Sequence, residues 1–517
     1  MFTQVRSAAL NGVDSFPVSV EATLSSGLPA FSIVGLPAGA VREGRERVTA
    51  ALASAGFPIP HRRLTINLAP ADVPKTGSAF DLPIAIAALV VAGHLQAEEV
   101  DGHGFVGELG LDGELRPVRG ALSIAHGCHG LEGLVVPDVN AREAAVAGAV
   151  EVIGASCLPE VIRHLTGEGP IAPARVDGLA LLGGGAADAP DLADVRGQAH
   201  AKRALLVAAA GGHNVLLSGP PGAGKTMLAR RLSGILPPLG LREAVEATKV
   251  HSVAGRLPSG EALLTRRPFR SPHHTISDAG LVGGGRVPRP GEVSLAHQGV
   301  LFLDELPEFR RHVLEALRQP LEDGTVTISR ASQAVTYPCR FTLVASMNPC
   351  PCGFHGDGSG RCSCGEPTMR RYRNRVSGPL LDRVDLHVHM PAVPVGELEV
   401  RETGTSSREV RARVASARGR QQQRESRNGT APYNSRLGPE GMRRWCMPGP
   451  EGRRLLRTAV RALGLSARGY HRILRVARTI ADLSESERVG APHVAEAIQY
   501  RSPLDQSAVG GRVDAEN

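Results

Sequence analysis

The sequence predicts an α/β protein: a parallel sheet around a phosphate-binding loop, an α/β unit ahead of it and a helical region behind it. Three observations predict this. First, Gly219-Pro220-Pro221-Gly222-Ala223-Gly224-Lys225-Thr226 frames four residues between two glycines and ends in Lys-Thr. It sits between an apolar, strand-like run at 214–218 and a helical run at 227–232, the context such a loop needs. Second, short apolar runs alternate with helical ones on both sides of the motif, as in a parallel sheet. Third, residues from about 396 to 505 read as helices.

Of the chain's 517 residues, the first 168 supply strand-like runs at 17–24, 31–34, 63–68 and 134–137 and a helix at 81–93. A Gly/Pro/Ala-rich stretch, 169–190, reads as a linker. Residues 191–395 form the central unit, 396–505 the helical region with a polar loop expected at 421–434, and 506–517 a disordered tail. A length of 517 residues exceeds one compact core. Aromatics are only 3% of the chain, which argues against a base-stacking platform. No basic start followed by an apolar run opens the sequence, and the longest apolar stretch, 82–93, is too short to span a bilayer. The expectation is a cytoplasmic protein without a membrane partner.

Charge is unevenly distributed. Residues 401–480 hold 19 Arg, no Lys, no Asp and five Glu, for +14, while the rest of the chain sums to −6. Such a block suits either a phosphate-rich partner, DNA or RNA, or a solvated helical surface. Only four residues are lysines (75, 202, 225 and 249), and one of them stands in the glycine-rich loop.

In that loop glycines let backbone N–H groups turn toward phosphates, and the following helix adds its positive end. Lys225 can reach the β- and γ-phosphates, and the Thr226 hydroxyl can ligate Mg²⁺. Seventy-nine residues later the apolar run 299–303 ends in Asp304 and Glu305. There Asp304 can hold Mg²⁺ through water, and Glu305 can orient and deprotonate an attacking water. The apolar run 341–347 ends in Asn348, an amide placed to sense the γ-phosphate. Arg383, in a Leu-Leu-Asp-Arg turn, suits a finger reaching into a neighbouring site, since its fork matches phosphate oxygens and stays charged. Arg468 opens an amphipathic helix bearing Ile473, Val476 and Ile480, placed to touch the γ-phosphate from a helical lid.

With these motifs in order, the chain resembles an AAA+ ATPase of the magnesium-chelatase-like, helix-2-insert branch, and more closely the YifB/ComM family. The carrying stretches are 194–198 (DVRGQ), 270–277 (RSPHHTIS), 281–285 (LVGGG), 290–297 (PGEVSLAH) and 348–353 (NPCPCG). The resemblance covers essentially the whole chain. It implies an AAA+ αβα core with a C-terminal helical lid, a homo-hexameric ring with ATP between subunits, and DNA through the pore. It also implies ATP-driven branch migration of DNA junctions in recombination or natural transformation. By carry-over Lys225 and Thr226 bind ATP–Mg²⁺, Asp304 and Glu305 serve Mg²⁺ and hydrolysis, Asn348 is sensor 1, Arg383 the trans finger and Arg468 sensor 2, with Arg472 one turn away as the alternative. A magnesium-chelatase-type motor acting on a metal-insertion partner is the second reading, and an ATP-dependent protease the third.

The segment 268–290 would build loops near the pore, with Arg286 and Arg289 as candidate phosphate contacts; an ordinary glycine-rich surface loop is the alternative. His273 and His274 read as structural hydrogen-bonders. Cys350, Cys352, Cys362 and Cys364 form Cys-Pro-Cys and Cys-Ser-Cys pairs around nine residues with four Gly. A structural Zn²⁺ held by four thiolates is the favoured reading, with redox-active or free thiols as the alternative. The knuckle is expected to stiffen a hairpin facing DNA.

Residues 1–165 resemble the Lon-protease-like (S5-type) fold that also occurs in RadA-type recombination ATPases, on the stretches 74–82 and 106–118. The nucleophile position falls on Ala79 and the base on Leu122, with Ser78 one place off and Lys75 the domain's single lysine. A Ser–Lys dyad needs a hydroxyl and an amine in reach of one another. The reading is therefore an inactive scaffold.

Overall fold

The computed structural model describes residues 2–501 except Ala38, Pro74, Thr76, 184–189, Ser259, Arg286, 331–332, Val395, 398–403 and 426–432. Arg286, the tail 506–517 and part of the 169–190 linker therefore lie outside the described residues.

Alternation of apolar and polar residues, as in buried Val18, Val20 and Ala22, makes the front of the chain a sheet with one face inward. Its seven strands run in the order Ala30–Val34, Arg63–Ala69, Asp14–Ser25, Phe2–Asn11, His103–Phe105, Gly133–Pro137, Glu151–Ala155. Phe2–Asn11 and Asp14–Ser25 form an antiparallel hairpin; from Phe2–Asn11 outward to Glu151–Ala155 the pairing is parallel. The apolar run too short for a membrane is the helix Asp81–Ala92, buried from Asp81 to Val91 against this sheet. No helix among the described residues is long and apolar enough to cross a membrane.

The second sheet is wholly parallel, in the order Phe269–Arg270, Val300–Leu303, Thr342–Met347, Val215–Ser218, Leu386–His389. Its three central strands are near-continuous apolar runs because both faces are covered. Val215, Leu217, Val300, Phe302 and Val344 face one layer; Leu216, Leu301, Leu303, Leu343 and Ala345 face the other. The first layer contains Ala199–Gly211 and Lys225–Ile235 together with the C-terminal helices Ser407–Glu425 and Ala467–Leu483, so one apolar cluster joins the core to the helical region. Ile473, Val476 and Ile480 lie in it, as the amphipathic pattern predicts.

Two segments differ from their sequence reading. The loop expected at 421–434 begins later, because the helix runs on to Glu425. Gln and Arg are good helix formers, and Gln421 is buried, donating to Ala210 O and accepting from Asn434 N. The stretch 169–190 is not merely loose: Ala174 bridges Val152, and a short helix, Gly178–Leu182, packs Leu181 and Leu182 against Leu239, Ala244 and Leu263.

The two α/β units share a buried polar joint. Ser252, on the helix Leu241–Ala254 of the second unit, accepts from Gly120 N (2.9 Å) and donates to Glu143 of the first. The same carboxylate oxygen accepts from Leu122 N at 3.0 Å. Burial raises the Glu143 pKa, opposed by these bonds. Replacing Ser252 by Ala strands a backbone N–H and a carboxylate out of water. The expected cost is about 1–3 kcal/mol, read as a lower denaturant midpoint of the full chain.

Candidate functional site

The parallel register brings the carboxyl ends of three neighbouring strands to one edge, where ligands of open α/β sheets bind. Ser218 leads into the glycine-rich loop, Leu303 into Asp304 and Glu305, and Met347 into Asn348. Gly222 and Gly224 adopt φ of +80° and +85°, turning the loop into the helix Lys225–Ile235. The buried Lys225 Nζ donates to Gly219 O (2.6 Å), Pro220 O (2.9 Å) and Asn348 Oδ1 (3.0 Å). Burial lowers its pKa, while Asp304 and Glu305 oppose the shift. Thr226 Oγ1 donates to Asp304 Oδ2 at 2.7 Å, so the two predicted Mg²⁺ ligands face each other. This is an all-oxygen pair of the kind Mg²⁺ takes from protein while keeping waters and substrate phosphates. Lys225, Thr226, Asp304, Glu305 and Asn348 thus meet in one place.

Three further residues shape this edge. Ser346 donates to Asp304 Oδ1, and Glu305 N donates to the same oxygen at 3.0 Å, fixing the carboxylate. Glu305 stands at φ +53°, a conformation costly for a non-glycine residue, and its side chain is 58% exposed. His274 Nδ1 lies 3.6 Å from Glu305 Oε2 and its ring stacks on His273 at 4.1 Å. Gln198 Nε2 donates to Pro391 O (2.7 Å) and to Ala223 O (3.3 Å), bracing the loop from outside. One polar residue in an apolar strand was the only sequence signal for Ser346. His273 makes a hydrogen bond of the expected structural kind, to Thr275 Oγ1 at 2.9 Å.

Arg383 and Arg468 are not brought to this edge. Both lie at the opposite end of the sheet, before Leu386–His389, about 13 Å away over four strand residues. Arg383 is only 5% exposed; it pairs with Glu322 (2.6 Å) and donates to Pro379 O (2.7 Å). In this single chain that ion pair folds the guanidinium inward, at the edge opposite the loop. Arg468 is 60% exposed, with Glu322 at 3.8 Å. Arg468, at the start of the helix Ala467–Leu483, borders a cleft with Asn214, Phe341 and Asp385, where strands of the sheet begin rather than where the loop follows one. Arg472 is tied to Asp385 and donates to Arg383 O. Arg468 and Arg472 border a cleft of about 1160 Å³ with Arg340, Arg436, Arg475 and Glu322. Burial alone would raise the Asp385 pKa; Arg472 and His213 outweigh it and hold the carboxyl well below the usual range.

The insert loop packs on the hairpin formed by Thr325–Arg330 and Gln333–Pro338: Tyr337 Oη donates to Pro288 O (2.9 Å) and Arg330 to Gly285 O (3.3 Å). Arg289 is exposed beside it. In the front unit Ser78 donates to Glu108, Lys75 Nζ is buried without a hydrogen-bond partner among the described residues, and Leu122 is fully buried. No Ser–Lys dyad is formed.

The four cysteines converge. Cys350 Sγ lies 3.2 Å from Cys352 and 3.7 Å from Cys362, with Cys352 to Cys362 at 3.6 Å. All four sulfurs fall within 4.8 Å of one another. Thiolates 2.3 Å from a tetrahedral Zn²⁺ stand about 3.8 Å apart, so the set fits such an ion. A hydrogen bond from the Phe354 backbone, then one from Cys350, brings the Cys352 thiol down to about 6.

With the geometry in hand, comparison with known proteins places the chain. Residues 191–398 match the family described as magnesium chelatase, subunit ChlI; 20–140 match subunit ChlI of Mg-chelatase, and 404–501 its C-terminal part. The fold is that of a magnesium-chelatase-like AAA+ protein. The chain is 44% identical over 502 residues to competence protein ComM of Haemophilus influenzae, covering 96% of this chain and 97% of that one. It is 43% identical over 504 residues to YifB of Salmonella typhimurium, covering 96% of each. The magnesium-chelatase 38 kDa subunit of Rhodobacter capsulatus is 30% identical over 172 residues, 30% of this chain and 48% of that one. The chain belongs to the YifB/ComM family.

A depressed carboxylate stabilises the fold above its unfolded pKa and loses that contribution as pH falls toward the folded value. Stability from Asp385 should therefore be full at pH 7 and decline below about pH 4. Asp385→Asn should cost about 3–5 kcal/mol at pH 7 by stranding Arg472, and less in acid, as measured by denaturant melts at the two pH values.

Proposed function

We propose that this chain is an ATP-driven DNA motor that works as a homo-hexameric ring in the cytoplasm and promotes branch migration of DNA junctions during recombination or natural transformation. The observation that carries the reading is the meeting of Lys225, Thr226, Asp304, Glu305 and Asn348 at one sheet edge, in a chain similar end to end to a competence protein.

In this reading the loop 219–226 cradles the phosphates of ATP, and Lys225 exchanges its carbonyl partners for phosphate oxygens. Thr226 and Asp304 hold Mg²⁺, which neutralises charge developing on the phosphates. Glu305, open to solvent, takes the proton of the attacking water, and Asn348 reports on the γ-phosphate through its bond to Lys225. His274 orients Glu305. Because Arg383 and Arg468 face away from the chain's own loop, they complete the site of a neighbouring protomer, with Arg383 released from Glu322 on assembly. Arg289 and the Arg-rich C-terminal region contact DNA phosphates. Cys350, Cys352, Cys362 and Cys364 hold structural Zn²⁺. The front unit, 1–168, is an inactive Lon-like scaffold for the ring.

A magnesium-chelatase-type motor is the second reading, favoured by the family matches across all three regions. The two separate on DNA. ATP turnover by the DNA motor should rise several-fold with forked or single-stranded DNA and fall steeply with salt. Turnover indifferent to every DNA and raised only by a partner chelatase subunit would reverse the choice.

Mutations test the roles. Lys225→Ala should abolish nucleotide binding, read with a fluorescent analogue. Glu305→Gln should retain binding and lower turnover by about 10²-fold or more. Arg383→Ala should bind nucleotide yet fail to hydrolyse it, and mixing with Lys225→Ala protein should restore part of the turnover, since each supplies what the other lacks. Normal hydrolysis by Arg383→Ala rings would place the finger elsewhere.

A further inference from the structure

The cysteine knuckle does not stand apart from the nucleotide edge; it is packed against it. After Asn348 meets Lys225, the chain turns through Pro349 into the fully buried Cys350. Gly353 closes that turn, donating its N–H to Cys350 O at 3.0 Å, with φ +87°. A Cβ added to Gly353 would lie 2.7 and 2.8 Å from Cδ and Cγ of Pro221, inside the phosphate loop, and 3.8 Å from Cγ of Asn348. So little space remains that the turn is in direct contact with the loop. From behind, Arg373 Nε donates to Pro349 O at 3.3 Å.

What holds the rest of the knuckle is slight. Gly356, Gly358 and Gly360 all take positive φ, a backbone with much freedom to lose. The loop's ties stay within 354–361: Ser359 and Arg361 donate to Asp357, Arg361 Nε donates to Ser359 Oγ at 2.9 Å, Asp357 N donates to Phe354 O at 3.4 Å, and Arg361 lies over the Phe354 ring at 4.1 Å. The Asp357–Arg361 pair is solvent-facing on the Arg side, where such pairs contribute little. Closing four thiolates on one ion supplies the order those ties do not.

We propose that the cysteine knuckle is a metal-dependent backstop of the phosphate loop: an ion in the four thiolates fixes the Cys350–Gly353 turn, the turn fixes Pro221 and Asn348, and nucleotide affinity therefore depends on metal content. This rests on the ATP reading of the site. Gly353 is then a positioning residue, and the knuckle belongs to nucleotide binding rather than to a DNA-facing hairpin.

The test uses the full-length chain, metal content by mass spectrometry and titration with a fluorescent, non-hydrolysable ATP analogue. Wild type should carry one zinc per chain. Cys362→Ser should lose it and bind the analogue at least tenfold more weakly. Gly353→Ala should keep zinc yet bind more weakly by a similar factor, because the methyl presses on Pro221. Cys157→Ser, remote from the knuckle, should match wild type in both measurements. Zinc-free Cys362→Ser protein with wild-type nucleotide affinity would overturn the proposal, as would a wild-type chain that carries no metal yet binds nucleotide. Should Cys362→Ser not fold, zinc-loaded Gly353→Ala with unchanged affinity overturns it equally. A metal-loaded wild type that binds no nucleotide defeats the ATP reading itself, and that outcome is distinct from the others.

Discussion

Five parallel strands of two to six residues, aligned end to end, decide what the rest of the molecule can do. The three central strands are buried on both faces, so each is gripped from both sides, and its register cannot slip without misplacing a full set of Leu and Val side chains. Fixed register puts Ser218 level with Met347 and Leu303 level with Ala345. The residues that follow these ends, charged or amide-bearing, then emerge together. Asp304 is held by three donors, Thr226, Ser346 and Glu305 N, and this carboxylate links the loop, the acidic pair and the middle strand.

The same register separates the arginines from the lysine. Groups that follow strands meet at one edge; groups that precede them, Arg383 and Asp385, meet at the other. Within one protomer the two sets are divided by the length of a strand. The proposed division of labour between neighbours follows from polarity alone: a parallel sheet offers its two kinds of end to opposite sides, and a ring sets one side against the next.

How much of this is written in the sequence depends on how local the cause is. Lys225, Thr226, Asp304, Glu305 and Asn348 were legible because contiguous residues set both the chemistry and the strand that carries it. The amphipathic stripe of Ile473, Val476 and Ile480 was legible as a buried face, but not which surface it would cover, and that surface decides which edge of the sheet Arg468 stands at. Docking of that helix is decided by packing against residues some 270 positions earlier. Gln198 and His274 stand in stretches that carry the family resemblance and Ser346 in an apolar strand, but the contacts each makes at the edge are set by distant parts of the chain. The cysteine spacing disclosed a possible metal set, while its contact with Pro221 depends on the fold of two separated loops.

The joint between the two α/β units has a mechanical meaning. Ser252, Gly120, Leu122 and Glu143 share hydrogen bonds in a buried seam. Tilting one unit on the other would break both bonds of Ser252, leaving Gly120 N and Glu143 each short of a partner. The helix Leu241–Ala254 thus runs as one continuous strut from the arginine-lined cleft, which its first turn borders, to the front unit, which its last turn holds through Ser252.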